Sequence, residues 1–140
     1  MDIRFHILNE FVQKFIVCES TYSHSGKKKK LNFNINNFPK FKDKISYIVI
    51  DEEPPNIIGD KNGLAKPFEK RSDSLKRINL SYDYMIKALS DVNENDLIIL
   101  SDNDEIPNLN SKQFKNSKKD IMIFKQLFFY YKFNLLYDLI

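Results

Sequence analysis

The sequence predicts an α/β fold built on a mostly parallel sheet flanked by helices. Three observations point there. Short apolar runs alternate with segments of helical period, the runs are continuous rather than alternating, and the runs near residues 18, 50 and 100 each give way to acidic residues. A strand covered on both faces reads as a near-continuous apolar run, and strands that alternate with helices pair in parallel. The chain has 140 residues, 42% of them hydrophobic and 29% charged, which suits one soluble domain over residues 1–140 with a core of its own.

The elements follow in order. Ile3, Ile7, Leu8 and Phe11 recur at helical spacing with Arg4, Asn9, Glu10 and Gln13 between them, an amphipathic helix. Residues 14–20 make a first strand that closes at Glu19, and residues 21–30, with Gly26 and the lysine run 27–30, make a loop. Residues 32–44 are mixed, with Pro39 among them, and have room for one short helix. A second strand, 45–50, ends in Asp51, Glu52 and Glu53. Pro54 and Pro55 then open a loop that reaches about residue 70 through Gly59 and Gly63; loops beyond about 12–15 residues are commonly functional or mobile. Leu75, Ile78, Tyr82, Met85, Ile86 and Leu89 line the apolar face of a long helix. Residues 96–101 give a third strand, 108–117 a short helix, 121–124 a fourth strand, and 126–140 an aromatic segment. No internal repeat or linker interrupts this order.

Composition removes several functions. A net charge of +3, from 22 basic and 19 acidic residues, is too mild for a nucleic-acid surface. Cys18, the single cysteine, excludes an internal disulfide and a cysteine-based zinc site, and its apolar neighbours mark it as a buried, inert thiol. No apolar run approaches the roughly 20 residues that span a bilayer, and the N-terminus lacks a signal-peptide pattern. The expected location is the cytoplasm, with peripheral contact to a membrane surface left open.

The most informative stretch is 96–107, Asp-Leu-Ile-Ile-Leu-Ser-Asp-Asn-Asp-Glu-Ile-Pro. An apolar run breaks off in Asp102, Asp104 and Glu105, whose mutual repulsion calls for a cation. In parallel sheets ligands bind beyond the carboxyl ends of the strands. Glu19, Asp51 and Asp102 would all stand at such ends, on one edge. In an extended Asp-X-Asp both carboxylates face the same side, which suits Mg²⁺ or Mn²⁺. The competing reading is a solvated turn whose acids cap the next helix.

Other motifs carry less. An EF-hand from Asp102 would need Gly at Pro107 and Glu at Gln113, and Gly26-Lys27 lacks the upstream glycine of a phosphate-binding loop. The lysine run is either a solvated loop or a basic rim near phosphate or anionic lipid. His24 is a better ligand contact than His6, and the aromatic cluster 128–131 suits a core more than a sugar-stacking platform.

Several separated segments together resemble glycosyltransferase family 17, the β-1,4-mannosyl-glycoprotein 4-β-N-acetylglucosaminyltransferases and their relatives. The segments are Ile-Arg-Phe-His-Ile-Leu-Asn-Glu-Phe-Val at 3–12 and Phe-Ile-Val-Cys-Glu-Ser-Thr-Tyr-Ser-His-Ser-Gly-Lys at 15–27. Lys-Arg-Ile-Asn-Leu at 76–80, the acidic stretch at 96–107 and Phe-Phe-Tyr-Tyr at 128–131 complete the set. The resemblance implies a GT-A-like, Rossmann-type fold and inverting transfer of N-acetylglucosamine from UDP-GlcNAc to an oligosaccharide or lipid-linked glycan. It places Asp102 and Asp104 on Mn²⁺ or Mg²⁺ and the donor diphosphate. Glu105 falls near the donor sugar or in the metal's outer shell, the nearest to a catalytic candidate, and Arg4, Glu19 and Arg77 fall in the nucleotide pocket. Asp51, by its strand-end position, joins that pocket. Relative to the family pattern the chain is short at both ends and corresponds to the donor half. The alternative is a non-catalytic or partner-dependent UDP-sugar-binding module.

Overall fold

The computed structural model of the chain describes residues 1–125, 128–129 and 136–137. It divides into two compact units, one of Gln13–Leu97 and one of Met1–Val12 with Ile98–Ile140. The α/β expectation holds, on a smaller sheet than expected.

In the first unit, strand β1 (Phe15–Ser20) pairs in parallel with β2 (Ile45–Ile50), in register from Phe15 opposite Ile45 to Ser20 opposite Ile50. Both strands fall where the apolar runs predicted them. The connection holds two 3₁₀ turns, Ile35–Asn37 and Pro39–Lys44, where one short helix was expected. Phe15, Val17, Phe41, Ile45 and Ile50 are the buried apolar residues of this unit. Helix α2 (Pro67–Lys87) packs on both strands. It starts at Pro67, whose missing N–H costs nothing in the first turn, and the Glu69 carboxylate accepts the Lys66 amide at 2.6 Å.

The apolar face predicted for α2 needs correction. Leu75, Tyr82 and Ile86 are 43%, 42% and 64% exposed, while Ile78, Met85 and Leu89 are half-buried. The side chains that tie α2 down are polar, Asp73, Arg77 and Tyr84, and they hold successive parts of the segment after β2. Tyr84 Oη donates to Glu52 at 2.7 Å, and Arg77 donates to Glu53. Lys76 Nζ donates to the Asn56 carbonyl, and Asp73 accepts the amides of Ile58 and Gly59 at 3.0 and 2.8 Å. Residues 52–59 therefore run antiparallel to the helix as a strap. A two-stranded sheet covers only part of a helix of 21 residues, so anchoring polar groups decide which side faces inward.

Asp73 is the buried carboxylate of this unit at 5% exposure. The Ile58 amide, helped by the Gly59 amide and Lys76, holds its carboxyl below the usual range against the opposing effect of burial. Asp73→Ala should release the strap. Amide exchange at Ile58 and Gly59 should accelerate strongly while that of the β1–β2 ladder changes little.

In the second unit, α1 (Asp2–Leu8) forms where expected, but Phe5 and Leu8 are its buried residues while Ile3 and Ile7 are 69% and 47% exposed. A helix of seven residues has less than two full turns, so two positions suffice to seat it. A short α3 (Lys112–Lys115) is capped by the Ser111 hydroxyl, which accepts the Phe114 amide at 3.2 Å. β3 (Phe128–Phe129) pairs antiparallel with β4 (Leu136–Tyr137). The rest of the aromatic segment, with Tyr130 and Tyr131, lies outside the described residues.

The expected third and fourth strands are absent from their predicted places. Residues 96–101 and 121–124 join no ladder, and Leu97, Ile98, Leu100, Ile121 and Ile123 are all more than half exposed. An apolar run states that a segment suits burial; it does not supply the neighbouring backbone that makes it a strand. No helix among the described residues is long and apolar enough to cross a membrane.

Candidate functional site

The carboxyl edge of the β1–β2 pair carries two of the predicted acids, Glu19 within the end of β1 and Asp51 directly after β2. Asp102 follows no strand and belongs to the other unit, so the expectation of three acids at three strand ends on one edge is corrected to two.

Glu19 is 13% exposed and accepts from four donors. Lys29 Nζ lies at 2.6 Å and the Asn32 amide at 2.8 Å from Oε1, and the Phe33 amide at 2.9 Å and Tyr47 Oη at 3.0 Å from Oε2. Burial alone would push this carboxyl up, but the four donors outweigh it and bring it down to about 2. Burial together with the Glu19 carboxylate pushes the Tyr47 hydroxyl up to about 12. Phe33 stacks on Phe38 at 5.3 Å and meets the Tyr47 ring at 4.8 Å, an aromatic shelf over this network. With both oxygens filled by protein donors, Glu19 organises the loop between the strands.

The loop after β1 returns on itself. Lys29 N–H donates to the Thr21 carbonyl at 2.8 Å, and Gly26 N–H to the Ser23 carbonyl at 2.8 Å. Gly26 has φ +83°, and a Cβ there would stand 2.4 Å from Arg77 Nη2. The positive φ favours glycine, and a side chain there would also push on the Arg77 guanidinium. Arg77, 10% exposed, grips Glu53 with two bonds, Nε to Oε2 at 2.7 Å and Nη2 to Oε1 at 3.0 Å, and donates to the His24 carbonyl at 3.1 Å. Asp51 Oδ1 accepts from Thr21 Oγ1 at 2.6 Å and stands 4.0 Å from Lys28 Nζ. The acids after β2 thus each have a partner: Thr21 for Asp51, Tyr84 for Glu52 and Arg77 for Glu53. Sequence reasoning missed Thr21, Tyr47 and Tyr84, whose only signal was the density of acids facing them.

Of the lysine run, Lys29 is committed to Glu19, while Lys27, Lys28 and Lys30 remain exposed on a loop that leaves the strands' carboxyl edge. The His24 side chain is also exposed, and its carbonyl serves Arg77. Cys18 is half-buried beside the Ser81 carbonyl rather than fully buried as expected, and burial pushes its thiol up.

In the second unit, Asp102 to Glu105 form a turn, closed by Glu105 N–H to the Asp102 carbonyl at 3.2 Å. The extended Asp-X-Asp geometry is therefore corrected. Asp and Asn favour turns because their short side chains stabilise local backbone bends. Glu105 Oε2 accepts the Asp102 amide at 3.0 Å, so Glu105 braces the turn and does not cap the next helix. Arg4 holds the turn from α1, with Nη1 on the carbonyls of Asp102, at 3.0 Å, and Glu105, and Nη2 on Ser101 Oγ at 2.6 Å. A cleft of about 210 Å³ beside the turn is lined by Ser101, Glu105, Pro107 and Met122 among others.

Asp102 and Asp104 are exposed, and among the described residues their carboxylates make no hydrogen bond or ion pair. A solvent-open, unpaired carboxylate is the donor type that Mg²⁺ or Mn²⁺ takes, one or two at a time, with water and phosphate oxygens completing the shell. No third His, Cys, Asp or Glu gathers with them among the described residues.

The comparisons with known proteins point one way. The family model described as glycosyltransferase family 17 matches residues 1–138. The β-1,4-mannosyl-glycoprotein 4-β-N-acetylglucosaminyltransferases of Homo sapiens and Rattus norvegicus are each 32% identical to the chain over 111 residues, and that of Mus musculus is 31% identical. Each alignment takes in 76% of this chain, which spans only 19% of the relatives' length. No solved structure matches the chain. The match across nearly the whole chain makes it a member of glycosyltransferase family 17.

Proposed function

We propose that this chain binds a UDP-sugar and serves the transfer of N-acetylglucosamine from UDP-GlcNAc to an oligosaccharide or lipid-linked glycan, with inversion. The observation that carries the reading is the family match over residues 1–138, supported by relatives named as N-acetylglucosaminyltransferases. In this reading Asp102 and Asp104 hold Mn²⁺ or Mg²⁺, and the ion when bound supplies the charge that offsets a diphosphate leaving group. The protein's own part is to keep those carboxylates unpaired on a braced turn. Glu105 lies beside the cleft and faces the donor sugar. The parallel pair β1–β2 with α2 belongs, on this reading, to a GT-A-like sheet. The protein works in the cytoplasm or at a membrane surface.

Calorimetric titration of UDP-GlcNAc with and without Mn²⁺ tests the proposal. Binding should depend on the metal, and Asp102→Ala/Asp104→Ala should abolish that dependence. Metal-independent binding, or an unchanged double variant, overturns it.

A second reading, a UDP-sugar-binding module that is non-catalytic or completed by a partner chain, is favoured by one feature. Inverting transfer needs a carboxylate to take the acceptor's proton. At the carboxyl edge of the β1–β2 pair and on the strap and helix beside it, Glu19, Asp51, Glu52, Glu53 and Asp73 are each already bonded within the fold. Sugar transfer or donor hydrolysis by the purified 140-residue chain excludes this reading.

A further inference from the structure

Arg4 reaches an acidic turn, and yet it donates to main-chain carbonyls and a hydroxyl. Its acceptors are the carbonyls of Asp102 and Glu105 and the Ser101 hydroxyl, nearly a hundred residues away in sequence. They bracket the turn, so one planar guanidinium fixes both of its ends. The Glu105 side chain completes the brace by accepting the Asp102 amide. Such an arrangement has a chemical consequence. An arginine paired with Asp102 or Asp104 would neutralise it and compete with any cation, whereas one bonded to the backbone leaves both carboxylates unpaired while setting the path of the chain that carries them.

We propose that Arg4 is a positioning residue, which locks the 101–105 turn from α1 so that Asp102 and Asp104 are presented free to a divalent cation. This replaces the nucleotide contact expected of Arg4 and rests on the metal role proposed above for the two aspartates. Arg4 itself touches neither metal nor donor. Lysine is a poor substitute, because a single ammonium cannot span three acceptors in the plane that the guanidinium reaches.

The test uses the full chain with Arg4→Met and Arg4→Lys, read by two NMR measurements. The first is amide exchange at Asp102 and Glu105, with Asn32 and Phe33 of the other unit as internal controls. In Arg4→Met the turn amides should exchange about tenfold faster with the controls unchanged, the loss expected for charge-assisted bonds. The second is paramagnetic broadening by Mn²⁺ alone. In the wild-type chain the Asn103 and Asp104 amides should broaden first, and Arg4→Met should need about tenfold more Mn²⁺ for the same effect. Arg4→Lys should retain the defect in both readouts, and it carries the test if Arg4→Met does not fold. Unchanged turn exchange in both variants, or equal Mn²⁺ titrations in wild type and variants, overturns the proposal. Wild-type chain that shows no Mn²⁺ broadening, with variants that show fast turn exchange, sinks the metal reading and leaves the bracing of the turn by Arg4 standing.

Discussion

Glu19→Ala is expected to lower the unfolding free energy by about 3–4 kcal/mol, because it strands several donors at once around a largely buried site. The carboxylate joins the Lys29 ammonium, the amides of Asn32 and Phe33 and the Tyr47 hydroxyl. Its loss leaves the Lys29 charge half-buried without its partner and frees the chain between the two strands. Glu19→Gln keeps one acceptor oxygen but points an NH₂ at donors, so it should lose most of the same stability. The pH dependence follows from the depressed carboxyl. The group stands at about 2 in the folded chain against an ordinary 4.5, so the folded state holds fewer protons than the unfolded state between those values. Its stabilising contribution is complete above about 4.5 and is lost as pH falls through about 2. Urea midpoints measured from pH 6 down to pH 2 should fall in the wild-type chain. The fall should be shallower in Glu19→Gln, and an equal slope in the two proteins would remove Glu19 as its source.

The same network explains what was legible in the sequence and what was not. Residues 15–20 and 45–50 are compact apolar runs bounded by charge, and both became strands within a residue of their predicted ends. α2 was legible as a helix from its period, but its start at Pro67, inside the loop expected to reach about residue 70, and its inward side were not. Asp73, Arg77 and Tyr84 lie near one side of the helix, and by helical spacing alone a polar row reads as the solvent side. It faces inward because the segment after β2 brings Glu52, Glu53 and two free amides to meet it. Those partners are close in sequence to one another and far from the helix, so local patterning holds no trace of the pairing. The acid clusters were correctly singled out, for a reason that holds in one case and fails in the other. After β2 the charge is answered by Thr21, Tyr84 and Arg77, whereas at 102–104 two carboxylates are left open. Sequence shows the charge density at both places; only the fold shows where it is already spent.

Arg77→Met should cost about 2–3 kcal/mol and act through the fold rather than through a bound nucleotide. Three segments meet at this guanidinium: α2 carries it, Glu53 receives two of its bonds, and the His24 carbonyl takes a third. Removing it leaves Glu53, whose side chain is 29% exposed, as a part-buried charge without its partner, and loosens the loop that turns at Gly26. A double-mutant cycle with Glu53→Gln should return a coupling of about 1–2 kcal/mol, since the pair is bidentate and Arg77 is nearly closed off from water. Arg77→Lys should recover only part of it, because an ammonium cannot reproduce the fork that engages Glu53 and still reach His24. UDP affinity per folded molecule then separates a scaffold role from a ligand role. If Arg77 is scaffold, Arg77→Met lowers the denaturation midpoint while calorimetry, corrected for the unfolded fraction, gives the wild-type affinity. A weakened UDP affinity at unchanged stability would instead put the guanidinium on the nucleotide, and the Arg77–Glu53 pair would have to open for the donor to bind.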